Sequence, residues 1–341
     1  LITDDAIAAF GPSTAVVTRT ADNDGMIADS AIYVERLEAA GVELLAVVDT
    51  FADDTDMSGP ATQVIAENPD IVFTGQLGNT EVLMIAELRD RGYDGPIVGN
   101  LALAPQSIFE QAGDTLLGTV FPLAYFPGNP ASASQHFTEL WNANQDVEPD
   151  IFAAQGYMAA WMLLNGIKAA DSYDRAAVLA GVESLTGANT PEGQLEYIDH
   201  EAPTDSFVYV QWSSDGTQTV WDGTSAGLLA NVNEAPVAAT TVKIGYTPIL
   251  SGGVAFAGVP LADGAELAVM EANESNFLGA GVTIELVGED TGGDQATTIG
   301  NLDKLIADED VLGVVCCALS SVSGSLLPVA EEAEIAMIGW G

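Results

Sequence analysis

Ser320, Ser321 and Ser323 form the most chemically suggestive group in the chain. They follow a short apolar run at 311–315 and lead into a helical segment that ends at a second apolar run, 335–338. Short unbroken apolar runs are the form taken by parallel strands covered on both faces. The serines therefore stand where a strand gives way to a helix. A helix amino terminus offers backbone N–H groups without intrahelical partners and a partial positive charge. Hydroxyls gathered there suit an anionic ligand group such as a carboxylate. They equally suit N-capping of the helix, and this stretch alone leaves both readings open.

Other reactive residue types carry less. Asp22-Asn23-Asp24-Gly25 has the outline of a calcium loop, but with Gly25 as its sixth position Thr20 and Ala31 fall where carboxylates are required. The acidic run at 49–56 reads as a solvated loop. His136 and His200 are isolated in polar surroundings and read as surface histidines, so neither a Ser/His relay nor a transition-metal site is expected. Cys316 and Cys317 are adjacent, a poor fit to ordinary disulfide geometry, and read as small apolar fillers of a buried run. Glycine-rich phosphate loops, nucleophile elbows and H-E-x-x-H are absent from the sequence. These features point away from an enzyme, and no cofactor or metal is implied.

The elements that must position such groups follow from length and composition. At 341 residues the chain is long enough for two domains, and 48% hydrophobic residues are ample for large cores. Fifty acidic residues against eight basic ones leave a net charge of −42, which repels nucleic acid and anionic membrane alike. Self-repulsion of that size favours a setting where salt screens it, so the acidity reads as a halophilic-like adaptation. No apolar run is long enough to span a bilayer, and no signal-like segment is present.

Taken in order, residues 1–121 alternate strands, at 14–18, 43–48, 70–74, 96–99 and 119–121, with helices at 26–39, 61–66 and 80–91. Repeated βα units predict a parallel sheet with right-handed crossovers, and ligands on such sheets bind outside the carboxyl ends of strands. Residues 122–205 open with an irregular crossing marked by Pro122, Pro127 and Pro130. They continue with helices at 131–144, 151–170 and 175–184 and a turn at 187–193. Residues 206–221 form a hairpin around Ser213-Ser214-Asp215-Gly216. Residues 222–241 have linker composition, and βα alternation resumes over 242–341, with strands at 242–247 and 282–287 and helices at 259–274 and 295–307.

Residues 242–341 resemble the beginning of the type I periplasmic solute-binding proteins, the branched-chain amino-acid (Leu/Ile/Val) binding family of ABC transporters. The matching stretches are Val242-Lys243-Ile244-Gly245 with Ser251-Gly252, then Gly264-Ala265-Glu266-Leu267-Ala268-Val269. Glu289-Asp290 with Gly293-Asp294 follow, and Ser320-Ser321 leading to Pro328-Val329-Ala330-Glu331-Glu332-Ala333. Residues 11–221 resemble the remainder of that family through Asn23-Asp24-Gly25, Asp53-Asp54-Thr55-Asp56, Asn68-Pro69-Asp70, Arg89-Asp90-Arg91-Gly92 and Phe152-Ala153-Ala154-Gln155-Gly156-Tyr157. The two parts stand in permuted order, which implies either a circular permutation closed by 222–241 or a stretch running across two tandem binding domains.

The resemblance implies an α/β protein of two Rossmann-like lobes with parallel sheets, joined by a hinge. Residues 1–121 form the C-terminal-type lobe, with 206–221 returning to it. Residues 242–341 form the N-terminal-type lobe, on which 122–205 packs after the hinge crossing. It further implies an extracytoplasmic protein, at the periplasmic or extracellular face of the membrane. Such a protein captures a small solute in an interlobe cleft for the permease and ATPase of an ABC importer, without nucleic acid and without inserting in the membrane. The solute is an amino acid or a related carboxylate or amide. A receptor's ligand-sensing domain is the alternative the same fold allows, and an enzyme acting on a small amide is a third. By position, Ser320 with Ser321 matches the carboxylate-holding hydroxyl, while Phe256 and Trp340 present rings to the pocket. On the other lobe Asn23, Asp24, Gln76, Leu77 and Asn100 stand at the ligand positions. There Asp24 and Leu77 replace tyrosines, and Asn100 or Leu101 replaces the amine-binding glutamate, which leaves Asp24 as the one obvious carboxylate for an α-ammonium.

Overall fold

A computed structural model of the protein describes residues 2–186, 188–195, 207–221, 241–279, 281–307, 311–316 and 319–339. The chain divides into two compact units; it leaves the first after Gly128 and has returned to it by Phe207.

The first unit opens with helix α1 (Ile2–Phe10), followed by β1 (Thr14–Thr20), α2 (Asp24–Ala39), β2 (Glu43–Thr50) and α3 (Ser58–Glu67). Next come β3 (Ile71–Gly75), α4 (Gly78–Asp90), β4 (Ile97–Val98), α5 (Gln106–Ala112) and β5 (Thr119–Leu123). The second unit takes α6 (Ser132–Asn144), α7 (Ile151–Ala170), α8 (Arg175–Glu183) and the short pair β6 (Ala188–Thr190) and β7 (Gly193–Leu195). Strands β8 (Val208–Trp212) and β9 (Gln218–Val220) belong to the first unit. The second unit resumes with β10 (Thr241–Thr247), α9 (Ala255–Glu274), β11 (Thr283–Gly288), α10 (Gln295–Ala307), β12 (Val311–Cys316), α11 (Ser320–Glu332) and β13 (Ala336–Gly339).

The first unit's sheet runs β2-β1-β3-β4-β5-β8-β9, parallel from β2 to β5 and antiparallel beyond. Val17, Phe73, Val98 and Val120 of its central strands share one core with Tyr33 and Leu37 of α2 and Tyr209 of β8. The second unit's sheet runs β11-β10-β12-β13, all parallel. Its core joins Val314 of β12 to Leu302 of α10 and Leu326 of α11. Helix α7 is buried almost all round, as its Ala, Met and Leu content dictates. It meets α9 through backbone: a Cβ on Gly156 would lie 1.7 Å from the Leu261 carbonyl oxygen, and one on Gly264 would lie 1.9 Å from that of Ala153. Among the described residues, no helix is long and apolar enough to cross a membrane.

Several expectations change. Helices α1 and α5 stand where none was expected. Pro122 lies inside β5 rather than in an irregular crossing; β4 pairs only as far as Val120, so the missing N–H interrupts no ladder on that side. The turn at 187–193 is a hairpin, with Thr190 opposite Gly193 and the Thr190 hydroxyl donating to the Gly193 carbonyl at 2.7 Å. Cys316 is buried and disulfide-bonded, not a free apolar filler; the chain's other cysteine, Cys317, lies outside the described residues. So do His200 and the linker 222–240.

Candidate functional site

Each sheet has one place where neighbouring parallel strands send their connections to opposite faces. In the first unit it falls between β1 and β3, and in the second between β10 and β12. Ligands of open α/β sheets bind outside the carboxyl ends of the strands at such a switch point, because the diverging loops leave a crevice there.

In the first unit the segments leaving β1 and β3 carry Asn23, Asp24, Gln76 and Leu77. Asn23 is buried and caps α2, its Oδ1 accepting from the Met26 N–H at 3.0 Å. Asp24, the first residue of α2, is exposed beside it. Gln76 is fully buried: its Oε1 accepts from the Thr18 hydroxyl at 2.7 Å and its Nε2 donates to the Thr50 hydroxyl at 2.9 Å. It thereby binds the ends of β1, β2 and β3 together. Leu77 is half-buried, and its N–H donates to the Thr20 hydroxyl at 3.2 Å.

Asn100, just past β4, is also inward-facing. Its Nδ2 donates to the Gln76 carbonyl at 2.7 Å, and its Oδ1 accepts from the Ala102 N–H at 2.8 Å, capping the single 3-10 turn Leu101–Leu103. Below it lies a group that the sequence did not single out. Glu81, in the first turn of α4, is fully buried and accepts from the Thr74 hydroxyl and the Asn100 N–H. Burial raises its pKa well above the usual carboxylate value, against the opposing hydrogen bonds from Thr74 and Asn100. Asp29 of α2, also desolvated, is pushed up to about 6.

In the second unit Asp290, after β11, gathers two loops. Its carboxylate accepts from the Leu250 N–H at 2.8 Å, the Ser251 hydroxyl at 2.6 Å and the Gly292 N–H at 2.9 Å. Those bonds hold its pKa below the usual range. Gly252, at φ +84°, lets this loop approach closely: a Cβ there would lie 3.0 Å from the Gly292 carbonyl oxygen. The loop runs into α9, where the half-buried Phe256 meets Phe152 edge-on, centroids 6.1 Å apart. Across the switch point Ser320 and Ser321 are the first two residues of α11. The N-cap is Leu319, extended at φ −140° and ψ 119°, whose side chain makes no capping hydrogen bond. Ser320 and Ser321 thus follow the N-cap position rather than occupy it. Ser323 bonds backward instead, its hydroxyl donating to the Leu319 carbonyl at 3.0 Å. The first-turn N–H groups of this helix have no intrahelical acceptor. Trp340 lies outside the described residues.

His136 is a surface residue but not an isolated one: its Nε2 contacts Glu271, whose carboxylate also accepts from Tyr157 and from the Trp161 indole at 3.2 Å. This cluster joins α6, α7 and α9. Among the described residues no group of three or more His, Cys, Asp or Glu side chains could hold a metal ion.

A family model described as periplasmic binding protein matches residues 5–217 and 241–341. The chain belongs to the periplasmic binding protein family. Its two α/β units with parallel sheets have the type I fold of that family. A leucine-binding protein, LivK, from Thermotoga maritima is similar in structure, with a TM-score of 0.59 at 21% identity over 64% of each chain. LivJ from Streptococcus pneumoniae, a branched-chain amino acid transporter substrate-binding protein in complex with isoleucine, aligns with a TM-score of 0.56. Its identity is 16%, over 63% of this chain and 61% of that one. An ABC transporter solute-binding protein from R. palustris in complex with benzoate aligns with a TM-score of 0.59 and 20% identity, over 66% of this chain and 62% of its own. This periplasmic binding protein thus spans 64% of the length of LivK. No curated protein sequence matches it.

Proposed function

We propose that this chain captures a small carboxylate-bearing solute, an amino acid or a related carboxylate or amide, outside the cytoplasm for the permease and ATPase of an ABC importer. The observation that carries the reading is the coincidence of the candidate residues with the switch points of both sheets. In the second unit Ser320, Ser321 and the first-turn N–H groups of α11 hold the carboxylate through charge-assisted hydrogen bonds. Phe256 and Trp340 cover its apolar part. In the first unit the candidate ligand positions are Asn23, Asp24 and Leu77, with Asp24 the carboxylate suited to an ammonium. Gln76 and Asn100 set the loops that present them. The LivK and LivJ likeness supports an amino acid, and the benzoate-bound relative supports a carboxylate without an amine.

Calorimetry with leucine, isoleucine and benzoate against the unmodified protein and Ser320→Ala tests this. Affinity for at least one of them, weakened about tenfold or more by Ser320→Ala, is expected from loss of a hydrogen bond to a charged group. Unchanged affinity in that variant removes Ser320 from the site. Tight leucine binding that survives Asp24→Ala removes the ammonium role.

A further inference from the structure

The first unit holds a second concavity at the other edge of its sheet. A groove of about 570 Å³ opens where the chain enters β4 and β5, the edge opposite the switch point. Phe10 of α1, Tyr93, Pro96 and Leu117 supply apolar walls, and Arg89 in the last turn of α4 supplies a cation. We propose that this groove is a binding site for a small monocarboxylate with an apolar body, held by Arg89.

The guanidinium is fixed in place. Nη1 donates to the Tyr93 and Gly95 carbonyls, both at 2.8 Å, and the group lies over the Tyr93 ring with its carbon 5.8 Å from the centroid. Those contacts consume one end of the fork. The other faces Gly118, where a Cβ would stand 3.9 Å from Nη2. Gly118 itself sits at φ +76°, a backbone conformation that other residues rarely adopt, so this wall stays free of a side chain.

Charge gives the second argument. The chain has 50 acidic residues for 8 basic ones, so a cation without a carboxylate is unusual. Arg19 pairs with Asp49, Arg36 with Asp4, Arg91 with Glu87 and Lys304 with Glu289, while Lys168 lies over the Phe277 ring. Among the described residues no carboxylate lies within 4.0 Å of Arg89. Desolvation lowers the Arg89 pKa, outweighing the opposing influence of Tyr93 and of Asp94, which is exposed on the rim. A half-buried arginine with a free fork end favours a planar anion that it can hold through two parallel hydrogen bonds. The aromatic and proline walls select an apolar body over a sugar or a phosphate, and the volume admits a molecule of one ring or a short branched chain.

The test uses the unmodified chain. Amide resonances of Gly92, Gly95 and Gly118 are followed by heteronuclear NMR while phenylacetate, and separately phenylacetamide, is added. The two probes share shape and differ in charge. Saturable shifts at these glycines with phenylacetate, about tenfold weaker or absent with phenylacetamide, are expected from a charge-assisted contact. The shifts should vanish in Arg89→Met and persist in Ser320→Ala, which separates this groove from the switch-point site. No saturable shift at the three glycines, or equal shifts with acid and amide, overturns the proposal. Because Arg89 also ties the loop after α4, Arg89→Met could unfold it; the acid-against-amide comparison in the unmodified protein decides the matter without that variant.

Discussion

The side-chain amide of Asn100 donates to the backbone carbonyl of Gln76 at 2.7 Å, tying the end of β4 to the end of β3. Gln76 in turn reaches the Thr18 and Thr50 hydroxyls, so one chain of buried bonds fixes the carboxyl edge of four parallel strands. Asn100→Ala removes the link and the cap of the following 3-10 turn. A loss of about 2 kcal/mol is expected in urea unfolding of this variant, as a buried bond and a cap are removed together. Its effect on solute affinity should come through loop position, so Asn100→Asp, which keeps the cap, should be milder on stability.

Helices α7 and α9 should tolerate no side chain where their backbones touch. Gly156→Val forces a branched group into the Leu261 carbonyl. A loss of about 3 kcal/mol or more is expected, at the upper end for overpacking, because backbone and not a flexible side chain is in the way. Thermal unfolding checks it, with Gly59→Ala, where an added Cβ meets nothing within 4 Å, as the control.

Buried carboxyls give the protein a defined pH response. Glu192 is buried and its pKa is raised to about 8, desolvation outweighing the opposing hydrogen bond from Gln155. Asp150, raised to about 7 for the same reason, behaves alike. An acid with a raised folded-state pKa keeps its proton where the unfolded chain has lost it. Its contribution is therefore fully present below about 4.5 and is lost as pH rises towards 8. Stability should fall across that window, by at most about 1.4 kcal/mol per pH unit for each such group. Glu192→Gln, which retains a hydrogen-bonding amide, should flatten the fall; unfolding curves at pH 5 and pH 8 measure it.

Salt should act in the opposite sense. With a net charge of −42, the screening length shrinks from about 10 Å at 0.1 M to about 3 Å at 1 M, and mutual repulsion shrinks with it. The thermal midpoint should rise steadily with potassium chloride, and a flat response would show that the acidic surface does not limit stability.

Much of this was legible in the sequence for a physical reason. Strands such as Ile71–Gly75 and Val311–Cys316 are buried on both faces and so announce themselves as apolar runs, and long helices such as Ile151–Ala170 announce themselves by composition. The short helices α1 and α5 did not announce themselves in this way. The site was harder. Polar residues at strand ends look alike in sequence whether they face a ligand or one another. Gln76 and Asn100 turn inward because Thr18, Thr50 and a backbone carbonyl, 24 to 58 positions away, meet them. Glu81 gave no signal, since a carboxyl in the first turn of a helix ordinarily reads as a solvated complement to the helix dipole. Likewise His136 looked isolated because its partner, Glu271, stands 135 positions away.

The central claim, capture of one small solute per chain, is tested most directly by native mass spectrometry. The protein is titrated with leucine, isoleucine, benzoate and their amides. A one-to-one adduct with a single chemical class, saturating well below about 1 mM, is the predicted result. The bare chain mass throughout, at every concentration up to that level, would contradict the account.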